Sequence, residues 1–230
     1  MRGPLRIAVA QPACVAYDVA ANVAAHAALV RAAAARVAVF PELSLTGYEL
    51  DAAPVDPADA RLAPLVEACA ETGTLALVGA PVAGEHIATL GVRGTGAWVA
   101  YRKMWLGPVE ARRFTPGPAP VLLEVDGWRL GLAICKDTGI AEHAARTCAL
   151  GVDAYLASIL DSAAEAAVPD ERALRIATTH RVTVAVASFA GSTGGGYAEA
   201  AGRSAIWAPD GTVLARAGTE PGEYVSATLT

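Results

Sequence analysis

Three residues that could carry out nucleophilic catalysis each follow a predicted apolar strand. Cys135 ends the segment Gly-Leu-Ala-Ile-Cys, Glu42 follows Val-Phe-Pro, and Lys103 follows Tyr-Arg. A thiolate is a strong nucleophile, a desolvated carboxylate can accept its proton, and a fixed ammonium group can stabilise an oxyanion. Brought together in one cleft, the three could carry out nucleophilic catalysis. Taken singly, each also fits a structural role, as a buried thiol, a solvated strand-end carboxylate or a basic turn.

The elements that must position these residues form an alternating series of apolar strands and alanine-rich helices. Strands are predicted at 5–10, 37–40, 75–79, 86–92, 96–101, 121–125, 128–134, 154–157, 183–188, 204–207 and 213–217. Helices are predicted at 19–35, 59–71, 141–150 and 164–181, the last with an alternative start near Pro169. The turn signals Asp126-Gly127 and Pro209-Asp210-Gly211 predict hairpins. The pattern predicts mixed sheets covered by helices, an α/β fold in a single domain over 1–230.

Composition and charge exclude several classes of protein. The chain has 230 residues, 54% of them apolar and 18% charged, with a net charge of −5. No apolar run approaches the roughly 20 residues of a membrane span. Near the start, the apolar run 7–10 is too short for the apolar region of a signal peptide. We therefore expect a cytoplasmic location. No basic block indicates nucleic acid, and no basic amphipathic stretch indicates a membrane surface. Scattered cysteines and histidines predict free thiols and no metal site.

The segments around the three residues resemble, in order, the nitrilase superfamily of carbon–nitrogen hydrolases and its Glu-Lys-Cys triad. The matching pieces are Pro-Glu-Leu…Thr-Gly-Tyr at 41–48, Tyr-Arg-Lys at 101–103 and Gly-Leu-Ala-Ile-Cys-Lys-Asp at 131–137. The stretch 110–117 resembles the family segment with a second active-site glutamate. Shorter matches at 7–11, 151–153, 202–204 and 209–211 extend the resemblance over nearly the whole chain.

This resemblance implies a four-layer α-β-β-α sandwich, commonly dimerised through helices, in an amidase-like branch. It implies that Glu42 is the general base and that Cys135 attacks the amide carbon to give a thioester. Lys103 and the backbone N–H of Lys136 would hold the oxyanion, and Glu110 would position substrate or water. The family needs neither metal nor organic cofactor. A small amide or N-carbamoyl amine is the expected substrate, and a homodimer or higher homo-oligomer the expected assembly.

Other positions concern the substrate pocket. Tyr48 and Trp105 are expected to contribute to its walls. Lys136 stands where relatives often carry an aromatic residue, so it either favours an anionic substrate or pairs with a carboxylate such as Asp137. The ion pair is the preferred interpretation. Ser188 stands where many relatives have a backbone-fixing asparagine. These departures affect the pocket and the subunit interface rather than the triad.

Alternative functions remain open from the sequence. The thioester chemistry would also serve an acyl transferase, and the same scaffold could be a binding protein without turnover. The glycine-rich segment 191–196 could in principle cradle a phosphate. It lacks the Lys-Thr pair of a P-loop and the strand–helix setting of a dinucleotide site. We therefore interpret it as a mobile loop near the pocket.

Overall fold

The computed structural model describes residues 2–230, and two six-stranded β-sheets dominate this part of the chain. The first sheet contains, in spatial order, β14 (Glu223–Leu229), β1 (Leu5–Gln11), β2 (Val37–Val39), β3 (Leu75–Val82), β4 (His86–Arg93) and β5 (Gly96–Arg102). The second contains β13 (Val213–Arg216), β12 (Ala205–Trp207), β9 (Thr183–Ser188), β8 (Ala154–Ile159), β7 (Trp128–Ile134) and β6 (Leu122–Val125). Two short strands, β10 (Ala190–Gly191) and β11 (Ala200–Ala201), pair separately.

Four α-helices cover the outer faces of the two sheets. They are α1 (Val19–Ala33), α2 (Ala63–Thr72), α3 (Ala141–Ala149) and α4 (Ala167–His180). Buried side chains of α1 and α2 cluster with one face of the first sheet, and those of α3 and α4 with one face of the second. Of the helices in residues 2–230, none is long and apolar enough to cross a membrane.

The inner faces of the two sheets pack against each other and form the largest apolar core. Ile7, Val39 and Leu77 of the first sheet meet Leu132 and Leu156 of the second, all at most 2% exposed. Facing sheets with helices outside give four layers, so the predicted α-β-β-α sandwich is confirmed.

The strand order brings the ends of particular strands together. In the first sheet β1, β2 and β3 are parallel neighbours, and in the second β7, β8 and β9 are. The remaining pairs are antiparallel, including β6 and β7, which the predicted turn at Asp126-Gly127 joins with both residues at positive φ. Because parallel strands end at the same edge of a sheet, residues that follow β7 and β8 are neighbours.

The structure differs from the sequence prediction mainly at the ends of elements. The predicted helix 59–71 begins as a 3₁₀ turn (Ala60–Leu62), and the predicted helix 164–181 begins as another (Ala163–Glu165). Pro169 lies in the first turn of α4, where its missing N–H costs no hydrogen bond. Strand β14 was not predicted. It pairs antiparallel along the whole of β1, from Leu5 opposite Leu229 to Gln11 opposite Glu223.

Candidate active site

Glu42 is positioned by a turn that packs directly on a neighbouring strand. The turn 41–43 follows β2 and lies against Gly79 of β3. A Cβ atom on Gly79 would lie 2.2 Å from the backbone nitrogen of Leu43 and 2.4 Å from the carbonyl oxygen of Pro41. No larger residue fits there, since real Cβ atoms do not approach backbone so closely. The turn therefore holds Glu42 in the interior, where it is 0% exposed.

A buried histidine, His26, forms a hydrogen bond with the segment that follows this turn. His26 Nδ1 lies 2.6 Å from the carbonyl oxygen of Asn22, and His26 Nε2 lies 2.8 Å from Ser44 Oγ. Burial lowers the pKa of His26 to about 4, so the ring is neutral at pH 7. A carbonyl oxygen only accepts, so Nδ1 carries the proton and Nε2 accepts from the Ser44 hydroxyl. The segment after Glu42 is thus tied to helix α1.

Lys103 joins the two glutamates of the site. Its Nζ donates to Glu42 Oε1 at 2.6 Å and to Glu110 Oε1 at 2.7 Å. Glu110 is fixed in turn, because its Oε2 accepts from the backbone N–H of Gly107 at 2.6 Å. Burial alone would lower the pKa of Lys103, but the charges of Glu42, Cys135 and Glu110 raise it above the ordinary value. Lys103 is therefore a permanent cation with a fixed position.

One oxygen of Glu42 has no partner. Oε1 is held by Lys103, while Oε2 is buried and makes no hydrogen bond within residues 2–230. Burial raises the pKa of Glu42 to about 7 despite the opposing effect of Lys103, and the charge of Glu110 raises it further. Glu42 is thus poised to gain or lose a proton near neutral pH, the property required of a general base.

Cys135 is the first residue after β7 and begins a 3₁₀ helix (Cys135–Gly139). Its φ is 44°, in the left-handed region of the backbone that residues other than glycine rarely adopt. Its Sγ lies 3.5 Å from the carbonyl oxygen of Leu160, and the residue is partly exposed. Burial of the sulfur and the charge of Glu42 raise the pKa of the thiol, while Lys103 lowers it. The resting group is therefore a thiol that needs a base.

The residue two positions after Cys135 ties the nucleophile turn to β5. Asp137 accepts hydrogen bonds from the backbone N–H of Ile134 at 3.0 Å, the hydroxyl of Tyr101 at 2.7 Å and the backbone N–H of Trp105 at 2.9 Å. Since Tyr101 and Trp105 flank Lys103, one buried carboxylate fixes the turn of Cys135 relative to the segment that carries Lys103.

The preferred interpretation of Lys136, an ion pair with Asp137, is wrong. Lys136 Nζ instead donates to the backbone carbonyl oxygen of Leu106 at 2.7 Å, a partner that neither interpretation of this lysine included. Adjacent side chains of a helix point in different directions, so the inward placement of Asp137 turns Lys136 away from it.

A pocket of about 220 Å³ opens beside the buried carboxylates. Its walls are Tyr48, Leu50, Gly107, Pro108, Val109, Glu110, Gly195 and Tyr197. Tyr48, which the sequence analysis expected at the substrate pocket, is one of these walls. Trp105 does not line this pocket, since its ring packs edge-on against His143 with centroids 5.5 Å apart. The glycine-rich segment lies at the pocket, where Thr193 Oγ1 and the N–H of Gly194 both donate to the carbonyl oxygen of Gly47 at 2.8 Å.

Sequence analysis overlooked two residues at this site, Asp161 and Tyr197. Asp161 follows β8 at the edge where Cys135 follows β7, because Ile134 and Ser158 are paired in the parallel register. The available sequence signal was a polar residue directly after β8, the strand that neighbours β7. Tyr197 packs edge-on against Tyr48 with ring centroids 5.6 Å apart.

In the described part of the chain, no group of three His, Cys, Asp or Glu side chains is arranged to hold a metal ion.

Comparison with known proteins identifies the family. Residues 6–230 match the family model described as carbon-nitrogen hydrolase, and the chain belongs to this family. A curated relative, the "Hydrolase in pqqF 5'region" of Pseudomonas protegens, is 30% identical over 232 residues, which cover 94% of this chain and 80% of the relative.

Solved structures of other proteins share this fold. A cysteine-to-alanine mutant of the Nesterenkonia AN1 amidase superposes with a TM-score of 0.88 at 23% identity, covering 98% of this chain and 90% of that one. Nit3 of Saccharomyces cerevisiae superposes with a TM-score of 0.87 at 19% identity and the same coverages. A Nesterenkonia amidase mutant in complex with butyramide superposes with a TM-score of 0.85 at 24% identity, covering 98% and 90%.

Proposed function

We propose that this protein hydrolyses the carbon–nitrogen bond of a small amide or N-carbamoyl amine, with Cys135 as nucleophile and a thioester as intermediate. The observation that carries the proposal is the free oxygen of Glu42. Oε2 is buried and unpartnered, while Oε1 is held by Lys103. A buried polar atom without a partner is costly, and a substrate or thiol proton would satisfy it. Membership of the carbon-nitrogen hydrolase family supports the same reaction class.

In the first half-reaction, Glu42 Oε2 takes the proton of the Cys135 thiol as the sulfur attacks the carbonyl carbon. The new C–S bond converts the carbonyl oxygen into an oxyanion, which Lys103 Nζ and the backbone N–H of Lys136 stabilise. When the oxyanion collapses, the C–N bond breaks and the nitrogen takes the proton from Glu42. Ammonia or an amine leaves, and the acyl group remains on sulfur.

In the second half-reaction, water hydrolyses the thioester. Glu42, again a carboxylate, accepts a proton from the water as its oxygen attacks the acyl carbon. Glu110 lines the pocket and shares Lys103 with Glu42, so it is placed to orient this water. Collapse of the second tetrahedral intermediate breaks the C–S bond and returns the proton to sulfur. A carboxylic or carbamic acid is released.

Replacing Glu42 by glutamine should remove the general base and leave the fold intact. We expect the parent to release ammonia from at least one member of a panel containing butyramide, an ω-amide and an N-carbamoyl amine. Glu42→Gln should reduce kcat by roughly 10²-fold or more, the usual contribution of a general base. Ammonia release under single-turnover and steady-state conditions measures the effect.

The matched control is Glu124→Gln, which removes an exposed carboxylate on β6 and should keep parental activity. Near-parental turnover by a folded Glu42→Gln protein would exclude Glu42 as the base. Silence of the parent across the whole panel, with Cys135 no more reactive than the other thiols, would contradict amide hydrolysis itself.

The pH dependence of kcat/KM should report Glu42. Burial raises its pKa from the ordinary 4.5 to about 7, so the carboxylate needed as base is lost as the pH falls through neutrality. We expect kcat/KM to rise about tenfold per pH unit below this value and to level off above it. An acid limb centred near 4.5, measured with an uncharged amide, would contradict the raised pKa.

A further inference from the structure

Asp161 presents an unpartnered carboxylate oxygen next to the nucleophile. It follows β8 and Leu160, whose carbonyl oxygen is 3.5 Å from Cys135 Sγ. Its backbone is fixed, because its carbonyl oxygen accepts from the N–H of Ala201 at 2.9 Å. The side-chain atom Oδ2 is buried, and none of residues 2–230 donates a hydrogen bond to it. The proposed reaction leaves this carboxylate without a role.

The charge of Asp161 acts on two groups of the site, Cys135 and Tyr197. Its charge raises the pKa of the Cys135 thiol and, with others, that of the Tyr197 hydroxyl. Tyr197 lines the pocket, and its ring contacts Tyr48. The carboxylate therefore lies near the space that an acyl group on Cys135 would occupy, on the second-sheet side of the site.

No neighbouring cation neutralises Asp161. Arg172 and Lys103 favour its charged form and Glu165 opposes it, but burial dominates and raises the pKa of Asp161 to about 6. Within the described chain neither cation forms an ion pair with it. Lys103 is held by two glutamates, and the Arg172 guanidinium lies against Gly139. Above pH 7 Asp161 is therefore a half-buried anion whose buried Oδ2 has no partner within residues 2–230, and such a group in a cleft is a candidate for ligand binding.

We propose that Asp161 selects substrates that carry an ammonium group or another positively charged N–H donor a few bonds from the scissile amide. This inference rests on the proposed function, because it assigns a substrate class to the same pocket. A substrate ammonium would donate to Oδ2 and supply the missing partner. The pocket of about 220 Å³ that Tyr197 and Glu110 line is large enough for a short amino-amide, and Asp161 lies outside its walls. Neutral amides of equal size would leave the buried Oδ2 unpaired and bind less well.

The first test does not depend on turnover. Cys135 is alkylated at pH 8 by 2-bromoethylammonium, a small cation, or by iodoacetamide, a neutral reagent, and peptide mass analysis follows both rates. We expect Asp161→Asn to reduce the ratio of cationic to neutral alkylation rates by ~10-fold to ~100-fold, the range for one charged hydrogen bond. The matched control is Glu165→Gln. It removes an exposed carboxylate four residues away that accepts from Ser162 Oγ, and it should change the ratio by less than about threefold.

A second test uses turnover of two amides of equal size, 4-aminobutyramide and pentanamide. The parent should have the higher kcat/KM for the amino-amide, and Asp161→Asn should abolish that preference while retaining pentanamide turnover. An unchanged alkylation ratio in Asp161→Asn, or an equal loss for both amides, would overturn the proposal. If the parent hydrolyses neither amide nor any other member of the panel, the proposed function fails, while the alkylation ratio still decides the role of Asp161.

Discussion

Replacing Lys103 by methionine should abolish turnover and destabilise the fold at the same time. The side chain is 1% exposed and binds Glu42 and Glu110 at 2.6 and 2.7 Å. Methionine keeps the volume but leaves two buried carboxylates without a cation. Breaking a buried ion pair in this way costs about 3–5 kcal/mol of the free energy of unfolding. Loss of the oxyanion partner should lower kcat by ~10³-fold or more.

The pH dependence of this destabilisation gives the sharper test. Without Lys103, the pKa of Glu42 rises further, so this carboxyl is neutral at pH 5 and destabilises the fold only when it is charged. Chemical unfolding should therefore show a larger difference between parent and Lys103→Met at pH 8 than at pH 5. Adding Glu42→Gln to Lys103→Met should recover part of the lost stability but no activity.

Lys136→Met is the natural control for stability, because Lys136 is the other of the two lysines in the chain. Within residues 2–230 its ammonium binds only the carbonyl oxygen of Leu106, so we expect a change in the free energy of unfolding below about 1 kcal/mol. Equal losses of unfolding free energy in Lys103→Met and Lys136→Met would show that the bridge from Lys103 to the two glutamates does not stabilise the fold more than an ordinary lysine hydrogen bond.

Replacing Cys135 by alanine should reduce ammonia release by roughly 10⁴-fold or more, because an alanine side chain cannot form the proposed thioester. The fold should be retained. Alanine has the same Cβ, so the strain at φ 44° is unchanged, and the hydrogen bond from Thr138 Oγ1 to the carbonyl oxygen of residue 135 remains. The free energy of unfolding should differ from that of the parent by less than about 1 kcal/mol.

Cys148→Ala is the matched control and should keep parental activity, since Cys148 lies on α3 with only burial acting to raise its pKa. In the parent, iodoacetamide should label Cys135 faster than Cys14, Cys69 and Cys148, because Glu42 can accept its proton. Equal labelling of all four thiols would show that Cys135 is not activated. Substantial turnover by Cys135→Ala would exclude the thioester route.

The main residues of the site were accessible from sequence because each is adjacent to a distinctive apolar strand. Glu42, Lys103 and Cys135 sit in short segments whose order and residue types are characteristic, and the structure brings Glu42 and Lys103 into direct contact. The layered fold was predictable for the same reason. Segments with helical periodicity alternate along the chain with segments of strand periodicity. Each such helix or strand is stable only when its apolar face is buried.

The features that sequence missed depend on contacts between distant segments. Strand β14 alternates, with Val225, Ala227 and Leu229 packed against the core. Sequence analysis overlooked this short pattern, in which only Leu229 is fully buried, and the pairing with β1 defines the strand. The partner of Lys136 depends on where residues 101–106 pass. Asp161 has no local motif, and only the parallel register of β7 and β8 places it beside Cys135.

The division of the site between the two sheets has a consequence for protein engineering. The proposed base and cation follow β2 and β5 of the first sheet, while the nucleophile and Asp161 follow β7 and β8 of the second. The thickness of the apolar layer between the sheets therefore sets the spacing between base and nucleophile. We therefore expect a methylene added or removed at Val39 or Ile134 to change the distance between base and nucleophile as well as the stability. Mutant libraries meant only to raise the melting temperature should leave this layer unchanged, and libraries meant to alter the rate should include it.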